Sequence, residues 1–390
     1  MTRTLLLPLL FVAAAHAATP ELLPPTGSFA IGRVTYAWRD DARVEVMSPQ
    51  PAKREVRVHL FYPAAKRGVK PAPYWPDVDV VERRSGDFLR EDFGSSYPLL
   101  RTIRTHSYEG VPVAKSPRRF PVVVFSHGGG INVLHYTTLI EDLASHGYIV
   151  AAVEHPYDAG FVVFPGNRII EQAGWGDDAK RSPTERAAFH RGRHLVDAQD
   201  NSFVLDQLAR IDAGKIASPL KGRIDVSRAV AIGHSLGGKA SVMSCAIDAR
   251  WNRCVNLDGG LDAGERYPRI DKPLLAIYGA PSPVQLPIET EEQFRARRAR
   301  NATFLESASN RELIAEYENV VAPGTIAYVS SPGFSHFAYY DLVQPEAEPW
   351  GATPERNARN LAIVRAAILA FLNGERLARP ELTLVPIGKR

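Results

Sequence analysis

The sequence predicts an α/β fold, a mostly parallel central sheet with helices on both faces, and three observations carry that expectation. Short apolar runs of buried-strand type start near Val122, Ile149, Val230, Val255, Leu274 and Ile326. Helical patterns near 134–146, 183–212, 236–247 and 354–373 separate them. Strands that alternate with helices need crossover connections, which put helices on both faces of a parallel sheet and leave the loops at the strands' carboxyl ends free for chemistry. Third, the run Arg228-Ala229-Val230-Ala231-Ile232 passes through Gly233-His234-Ser235-Leu236-Gly237-Gly238 into a helix start built of small residues.

In chain order, residues 1–17 read as a secretory signal, with Arg3, an apolar run from Leu5 to Ala15, and Ala15-His16-Ala17 as a small-residue cleavage site. A retained N-terminal anchor is the alternative. That run is too short to span a bilayer, and no other apolar stretch is long enough. Residues 18–390 are expected to form a single domain carrying inserts near 72–112, 156–182 and 281–320. Residues 30–36 and 56–62 alternate like half-buried strands and predict an antiparallel edge.

The 72–112 insert holds Tyr74, Trp75, Phe88, Phe93 and Tyr97. Such aromatics either pack the insert onto the core or line a pocket. Residues 156–182 hold Phe161, Val162, Val163, Phe164 and Trp175 among glycines and charges, which suits a lid or entrance loop. The third insert contains a charged helical stretch over 289–319. The last helix has Thr353 as its cap, Pro354 in its first turn and Gly374 at its stop, with Leu361, Val364, Ile368, Phe371 and Leu372 on one face.

The chemistry is expected at Ser235. In a Gly-x-Ser-x-Gly turn between strand and helix, the serine occupies a strained corner that exposes its hydroxyl, and the flanking glycines remove side chains that would collide with the neighbouring backbone. Upstream, the strand-like run 120–126 ends in His127-Gly128-Gly129-Gly130, a loop able to offer bare N–H groups. Acyl transfer needs two donors aimed at a developing oxyanion, and Gly129 and Leu236 are the candidates. His336 is the only histidine after Ser235, which makes it the candidate base. Among Asp248, Asp258, Asp262 and Asp271, Asp258 is the preferred acid because it ends the strand-like run 254–257 and precedes two glycines. Asp262 is the runner-up. The strand that follows, 273–279, carries no carboxylate after its end.

The other histidines have plainer readings. His127 and His234 are expected to brace their loops, and His155 to shape the entrance. The net charge of +4 is too small and dispersed for nucleic acid. Arg295, Arg297, Arg298 and Arg300 form either a solvated helix face or a peripheral contact with an anionic lipid surface. Cys245 and Cys254 are the two cysteines, and an oxidising compartment would allow a disulfide bracing the acid strand. Two cysteines without clustered histidines make no zinc site, and neither metal nor organic cofactor is expected.

Several of these stretches together resemble the plasma-type platelet-activating-factor acetylhydrolases and their bacterial relatives within the α/β-hydrolase superfamily. Val124-Phe125-Ser126-His127-Gly128, followed by 142–155, is similar to that family's oxyanion strand, first helix and next strand. Residues 233–238 resemble its elbow, Cys254-Val255-Asn256-Leu257-Asp258-Gly259 its acid strand, and Ser335-His336-Phe337 its base. The likeness covers roughly 115–340 and implies an α/β-hydrolase fold with serine ester hydrolysis by Ser235, His336 and Asp258. Two departures touch the pocket wall: the segment between Gly279 and His336 is longer here, and Gly129 stands where the animal enzymes carry a larger apolar residue. As substrates the resemblance implies short-acyl or oxidised phospholipids or related lipid esters, a finer expectation that the two departures touch. A general carboxylesterase or polyester hydrolase is the enzymatic alternative, and a non-catalytic hydrolase-like binding protein the alternative of another class.

Overall fold

The computed structural model describes residues 21–174, 177, 180–261, 268–279, 292, 320, 326–330, 334–342, 353–375 and 379–386. Its strands are β1 (Ala30–Val44), β2 (Lys53–Ala64), β3 (Ser107–Glu109), β4 (Phe120–Ser126), β5 (Ile149–Glu154), β6 (Phe161–Phe164), β7 (Arg168–Glu171), β8 (Ile224–His234), β9 (Trp251–Leu257), β10 (Leu274–Tyr278), β11 (Ile326–Ser330) and β12 (Leu382–Pro386). Among the described residues the α-helices are α1 (Val78–Phe93), α2 (Thr137–Ser145), α3 (Pro183–Asp212), α4 (Leu236–Ile247) and α5 (Pro354–Leu372). Among the described residues ten strands form one sheet in the order β12-β11-β10-β9-β8-β4-β5-β2-β1-β3, and β6 pairs with β7 as a separate hairpin.

The six strands expected from the apolar runs, β5-β4-β8-β9-β10-β11, are parallel throughout. Antiparallel pairs flank them, β2 on β5 and β12 on β11. Alternate residues of the central strands enter two separate cores, as the period of two requires. Val123, Phe125, Val150, Ala152 and Ile232 pack with Leu139 and Ile140 of α2 and Leu361, Val364 and Ile368 of α5. Val122, Val124, Ile149, Ala151 and Ala231 pack with Leu208 of α3 and Val242 and Met243 of α4. The sheet is thus apolar on both faces, which is why its strands read as continuous runs rather than alternating ones. This is the α/β-hydrolase fold.

The last helix begins and ends as its sequence directs. Thr353 accepts the Arg356 N–H with its side chain, Pro354 fills the first turn, and Gly374 takes φ 78° just beyond the end. Ser182 and Glu185 form a reciprocal capping box at the start of α3. Cys245 of α4 and Cys254 of β9 are joined by a disulfide, with Cα atoms 6.5 Å apart.

The first two inserts hold more regular structure than the sequence suggests. Residues 72–112 contain α1, a 3-10 turn over Gly94–Arg101 and the short strand β3. Residues 156–182 contain the β6–β7 hairpin, whose turn uses Gly166 and Asn167 at positive φ. All four residues of β6 are buried, so no alternation marks the strand. Tyr74, Trp75 and Phe93 are buried in the first core, with Trp75 edge-on to Phe93 at 5.1 Å and to His135 at 5.0 Å. They pack the insert onto the domain. The proposed signal at 1–17, Trp175, the arginines from 295 to 300 and the insert 281–320, apart from Glu292 and Val320, lie outside the described residues. Among the described residues no helix is long and apolar enough to cross a membrane.

Because Trp75 is 3% exposed and welds the insert to the core, Trp75→Ala should lower the free energy of unfolding by about 3–5 kcal/mol in chemical denaturation. A loss below about 1 kcal/mol would mean that the insert is only loosely attached.

Candidate active site

β8 ends at His234 and α4 begins at Leu236, so Ser235 alone makes the corner. Its backbone sits at φ 53° and ψ −115°, a conformation that L residues rarely adopt and that surrounding bonds must hold. Ser235 N–H donates to Leu257 O at 2.8 Å, and Gly237 N–H donates to His127 O at 3.0 Å. A Cβ on Gly233 would collide with the Gly237 carbonyl, and one on Gly237 with the Ser126 carbonyl. The two motif glycines therefore let the strand, the helix and the loop after β4 approach to backbone contact.

The structure brings Ser235, His336 and Asp258 together. His336 Nε2 accepts from Ser235 Oγ at 3.1 Å, and His336 Nδ1 donates to Asp258 Oδ2 at 2.8 Å. All three are partly exposed. Asp258 also sits at positive φ, 55°, and its N–H donates to Ile277 O at 2.7 Å. Its second oxygen, Oδ1, accepts the Gly279 N–H at 3.1 Å. The carboxylate projected from the end of β9 thus reaches the end of β10, which explains why no acid is needed after 273–279. Asp262, the runner-up, lies outside the described residues.

Gly129 and Leu236 also meet. A Cβ placed on Gly129 would lie 3.7 Å from Leu236 Cδ2, and the N–H groups of both residues have no protein acceptor among the described residues. The N–H of Gly128 is taken instead by Tyr136 Oη at 3.0 Å. Tyr136 donates to His234 Nδ1 at 2.8 Å, and His234 Nε2 donates to the His336 carbonyl at 2.9 Å. Burial, with His336 nearby, holds His234 well below the usual histidine range, so this relay is neutral. Burial likewise pushes the Tyr136 hydroxyl well up. The chain of bonds ties the loop at 128 to the loop at 336 and bears out the bracing role read for His234.

The His336 loop is docked on α2. Asp341 accepts the N–H groups of Thr137 at 2.8 Å and Thr138 at 2.9 Å, capping the helix start, while its own N–H donates to His135 O. Tyr74 Oη adds a bond to the same carboxylate at 3.1 Å. Neither Asp341 nor Tyr136 was visible as a brace in the sequence, because each partner lies far away along the chain. Gln172, exposed just after β7, comes beside the loop that follows β4: its amide would lie 3.3 Å from a Cβ on Gly130. His155 is a correction: rather than shaping the entrance it is fully buried, its ring between Asp200 and Ser126.

Fold and geometry define an α/β-hydrolase with a serine, histidine and aspartate hydrogen-bonded in series at the carboxyl edge of its sheet. A family model described as platelet-activating factor acetylhydrolase, isoform II, matches residues 17–281, and the chain belongs to that family. The match ends before His336, which rests on its place in the sequence and on the geometry above. Among known proteins, the platelet-activating factor acetylhydrolase of Cavia porcellus is 28% identical over 250 residues, 56% of this chain and 54% of that protein. A probable 1-alkyl-2-acetylglycerophosphocholine esterase of Arthroderma benhamiae is 33% identical over 141 residues, covering 36% of this chain and 32% of its own. The chain spans about half the length, or less, of the curated relatives it matches. A solved structure, the ferulic acid esterase from Streptomyces cinnamoneus, superimposes with a TM-score of 0.66 at 27% identity, covering 95% of this chain and all of that one.

The glycine geometry makes a paired prediction. Gly237→Ala should destabilise the protein markedly in thermal unfolding, since the clash is with backbone. Gly192→Ala should instead stabilise it by about 0.5–1 kcal/mol, because Gly192 lies inside α3 with open space around its Cα. Equal effects at the two positions would contradict the packing described.

Proposed function

We propose that the protein is a secreted serine ester hydrolase working through an acyl-serine intermediate, with short-acyl or oxidised phospholipids and related lipid esters as substrates. The observation that carries this reading is the series Ser235 Oγ, His336 Nε2, His336 Nδ1 and Asp258 Oδ2, with bonds of 3.1 and 2.8 Å. The family supports ester chemistry, and the names of the relatives support an acetylated phospholipid substrate. The apolar run and small-residue site in residues 1–17 support export.

Ser235 Oγ attacks the ester carbonyl carbon as His336 Nε2 takes the hydroxyl proton. Asp258 holds the imidazole with Nδ1 protonated and stabilises the imidazolium that forms. The carbonyl oxygen gains negative charge and is met by the N–H groups of Gly129 and Leu236. Loss of one such donor costs about a hundredfold or more in turnover. Collapse of the tetrahedral species breaks the bond to the alcohol oxygen, which takes the proton from His336. Water, deprotonated by the same histidine, then releases the acid and restores Ser235.

A second reading, a general carboxylesterase, is favoured by one observation: the ferulic acid esterase aligns over nearly the whole chain, whereas the phospholipid-hydrolase relatives align over part of it. A nitrophenyl ester series from acetyl to long acyl, run beside a phospholipid with a short second chain, separates the two. Preference for the short-chain phospholipid is expected, and activity confined to soluble esters would leave the carboxylesterase. Ser235→Ala should abolish turnover in either case. Asp258→Asn should lower kcat by about four orders of magnitude while Asp262→Asn leaves it near wild type. The reverse result would move the acid to Asp262.

A further inference from the structure

Behind the loop 126–130 lies a second, fully buried polar cluster that the proposed reaction does not use. We propose that this cluster, which joins α3 to the ends of β2, β4 and β5, clamps the loop that offers the Gly129 N–H, and that Arg193 and Ser126 are positioning residues for the hydrolysis. The inference rests on the ester-hydrolase reading given above.

Besides the Gly128–Tyr136 and Gly237–His127 bonds described above, the loop is held at three points on this side. At its root, Ser126 Oγ sits between His155 Nε2 and Asn201 Oδ1, 3.1 Å from each. One residue on, the His127 ring accepts the His155 N–H at Nε2, 3.0 Å away, and donates from Nδ1 to Gly128 O at 2.7 Å. Burial pushes His127 down to about 3, so its Nε2 stays an acceptor across the working pH range. At the far end, Gly130 N–H donates to Asp158 O at 2.8 Å. Gly129 lies between the second and third of these anchors.

Each anchor is fixed in turn by a charge. His155 Nδ1 donates to Asp200 Oδ2 at 2.9 Å, and Asp200 is gripped by Arg54 at 2.6 Å and Arg43 at 2.7 Å. Arg54 also bonds Glu45 at 2.6 Å and Pro156 O at 3.1 Å. Asp158 is held by two nitrogens of Arg193, Nε at 3.0 Å and a closer Nη2 contact. Arg193, Asp200 and Asn201 all belong to α3, whose later turns bury Val204, Leu205 and Leu208 instead. The helix is therefore charged where it faces the loop and apolar where it faces the sheet.

Burying so many charges is costly, and well-packed apolar residues often serve stability as well or better. What a two-point guanidinium–carboxylate contact adds is direction, because it fixes distance and orientation together. Other uses of the cluster fit poorly. Ser126, His155 and Asp200 repeat a serine–histidine–aspartate series, but all three are buried and substrate cannot reach them. His155, Asp197 and Asp200 bring three ligand-type atoms together, yet arginines already occupy both oxygens of Asp200. An oxyanion donor must be placed to within a fraction of an ångström, and a loop of three consecutive glycines cannot do that unaided.

The test is a mutant cycle on nitrophenyl acetate hydrolysis with full-length mature protein. Arg193→Lys keeps the charge but not the two-point contact, Ser126→Ala removes the root anchor, and Gly129→Pro removes the donor itself. Arg193→Lys is expected to lower kcat tenfold or more and Ser126→Ala fivefold or more, with KM changed less than threefold. In the Gly129→Pro background both losses should shrink to under twofold, which a general loss of stability would not produce. Folded variants with wild-type kcat, or losses that multiply with that of Gly129→Pro, would overturn the inference. Should Arg193→Lys fail to fold, the Ser126→Ala cycle decides by the same criteria. An inactive wild type would overturn the hydrolase reading and this inference together, whereas an active wild type with unaffected variants would overturn this inference alone.

Discussion

Close backbone approach at the corner between β8 and α4 is the constraint on which the rest of the site depends. Ser235 can hold its strained backbone only because Leu257, at the end of the acid strand, accepts its N–H, and because Gly237 reaches the carbonyl of His127. Those two bonds join the turn at Ser235 to the loops that carry Asp258 and Gly129. Gly259 continues the same packing, since a Cβ there would fall 2.5 Å from the Ser235 carbonyl. One local conformation, available only to glycine-flanked backbone, thus sets the mutual position of three loops that are distant in sequence.

Two kinds of polar brace then fix those loops, and they differ in charge. Toward the base, the relay from Gly128 through Tyr136 and His234 to the His336 carbonyl is neutral, and burial keeps it so. On the α3 side the brace is ionic, with arginines and carboxylates paired in the interior. The placement suits the proposed chemistry. A neutral network next to His336 adds no charge to compete with Asp258 for the imidazolium, whereas the ionic network stands behind the loop and acts on it through the His127 and His155 backbone and rings.

The fold, and the three residues that the structure hydrogen-bonds in series, were legible in the sequence for physical reasons. A sheet apolar on both faces writes continuous runs, so each parallel strand announced itself. The elbow could be read because the tight corner admits few residue types. His336 followed by elimination and Asp258 from its place at the end of a strand. What stayed hidden depended on partners far apart in sequence. α1 is kinked at Ser85, which blurs its period, and β6 is buried on every residue, which removes its alternation. His155 looked like an entrance residue because it ends a strand beside the site, but its ring turns inward to Asp200, forty-five positions away along the chain. β12 pairs antiparallel with β11 at one edge of the sheet, and its run of five residues, Leu382–Pro386, is too short to set its period apart.

The central claim is that the Gly129 and Leu236 N–H groups form one receptor for the charge that develops when Ser235 attacks. The most direct measurement is a crystal structure of the protein after reaction with a short-chain phosphonate ester, which leaves a tetrahedral phosphoryl group on the nucleophile. The account predicts an adduct on Ser235 Oγ whose phosphoryl oxygen lies about 2.7–3.1 Å from both nitrogens, with Asp258 still bonded to His336. An adduct whose phosphoryl oxygen points away from Gly129, or one formed on a residue other than Ser235, would contradict it.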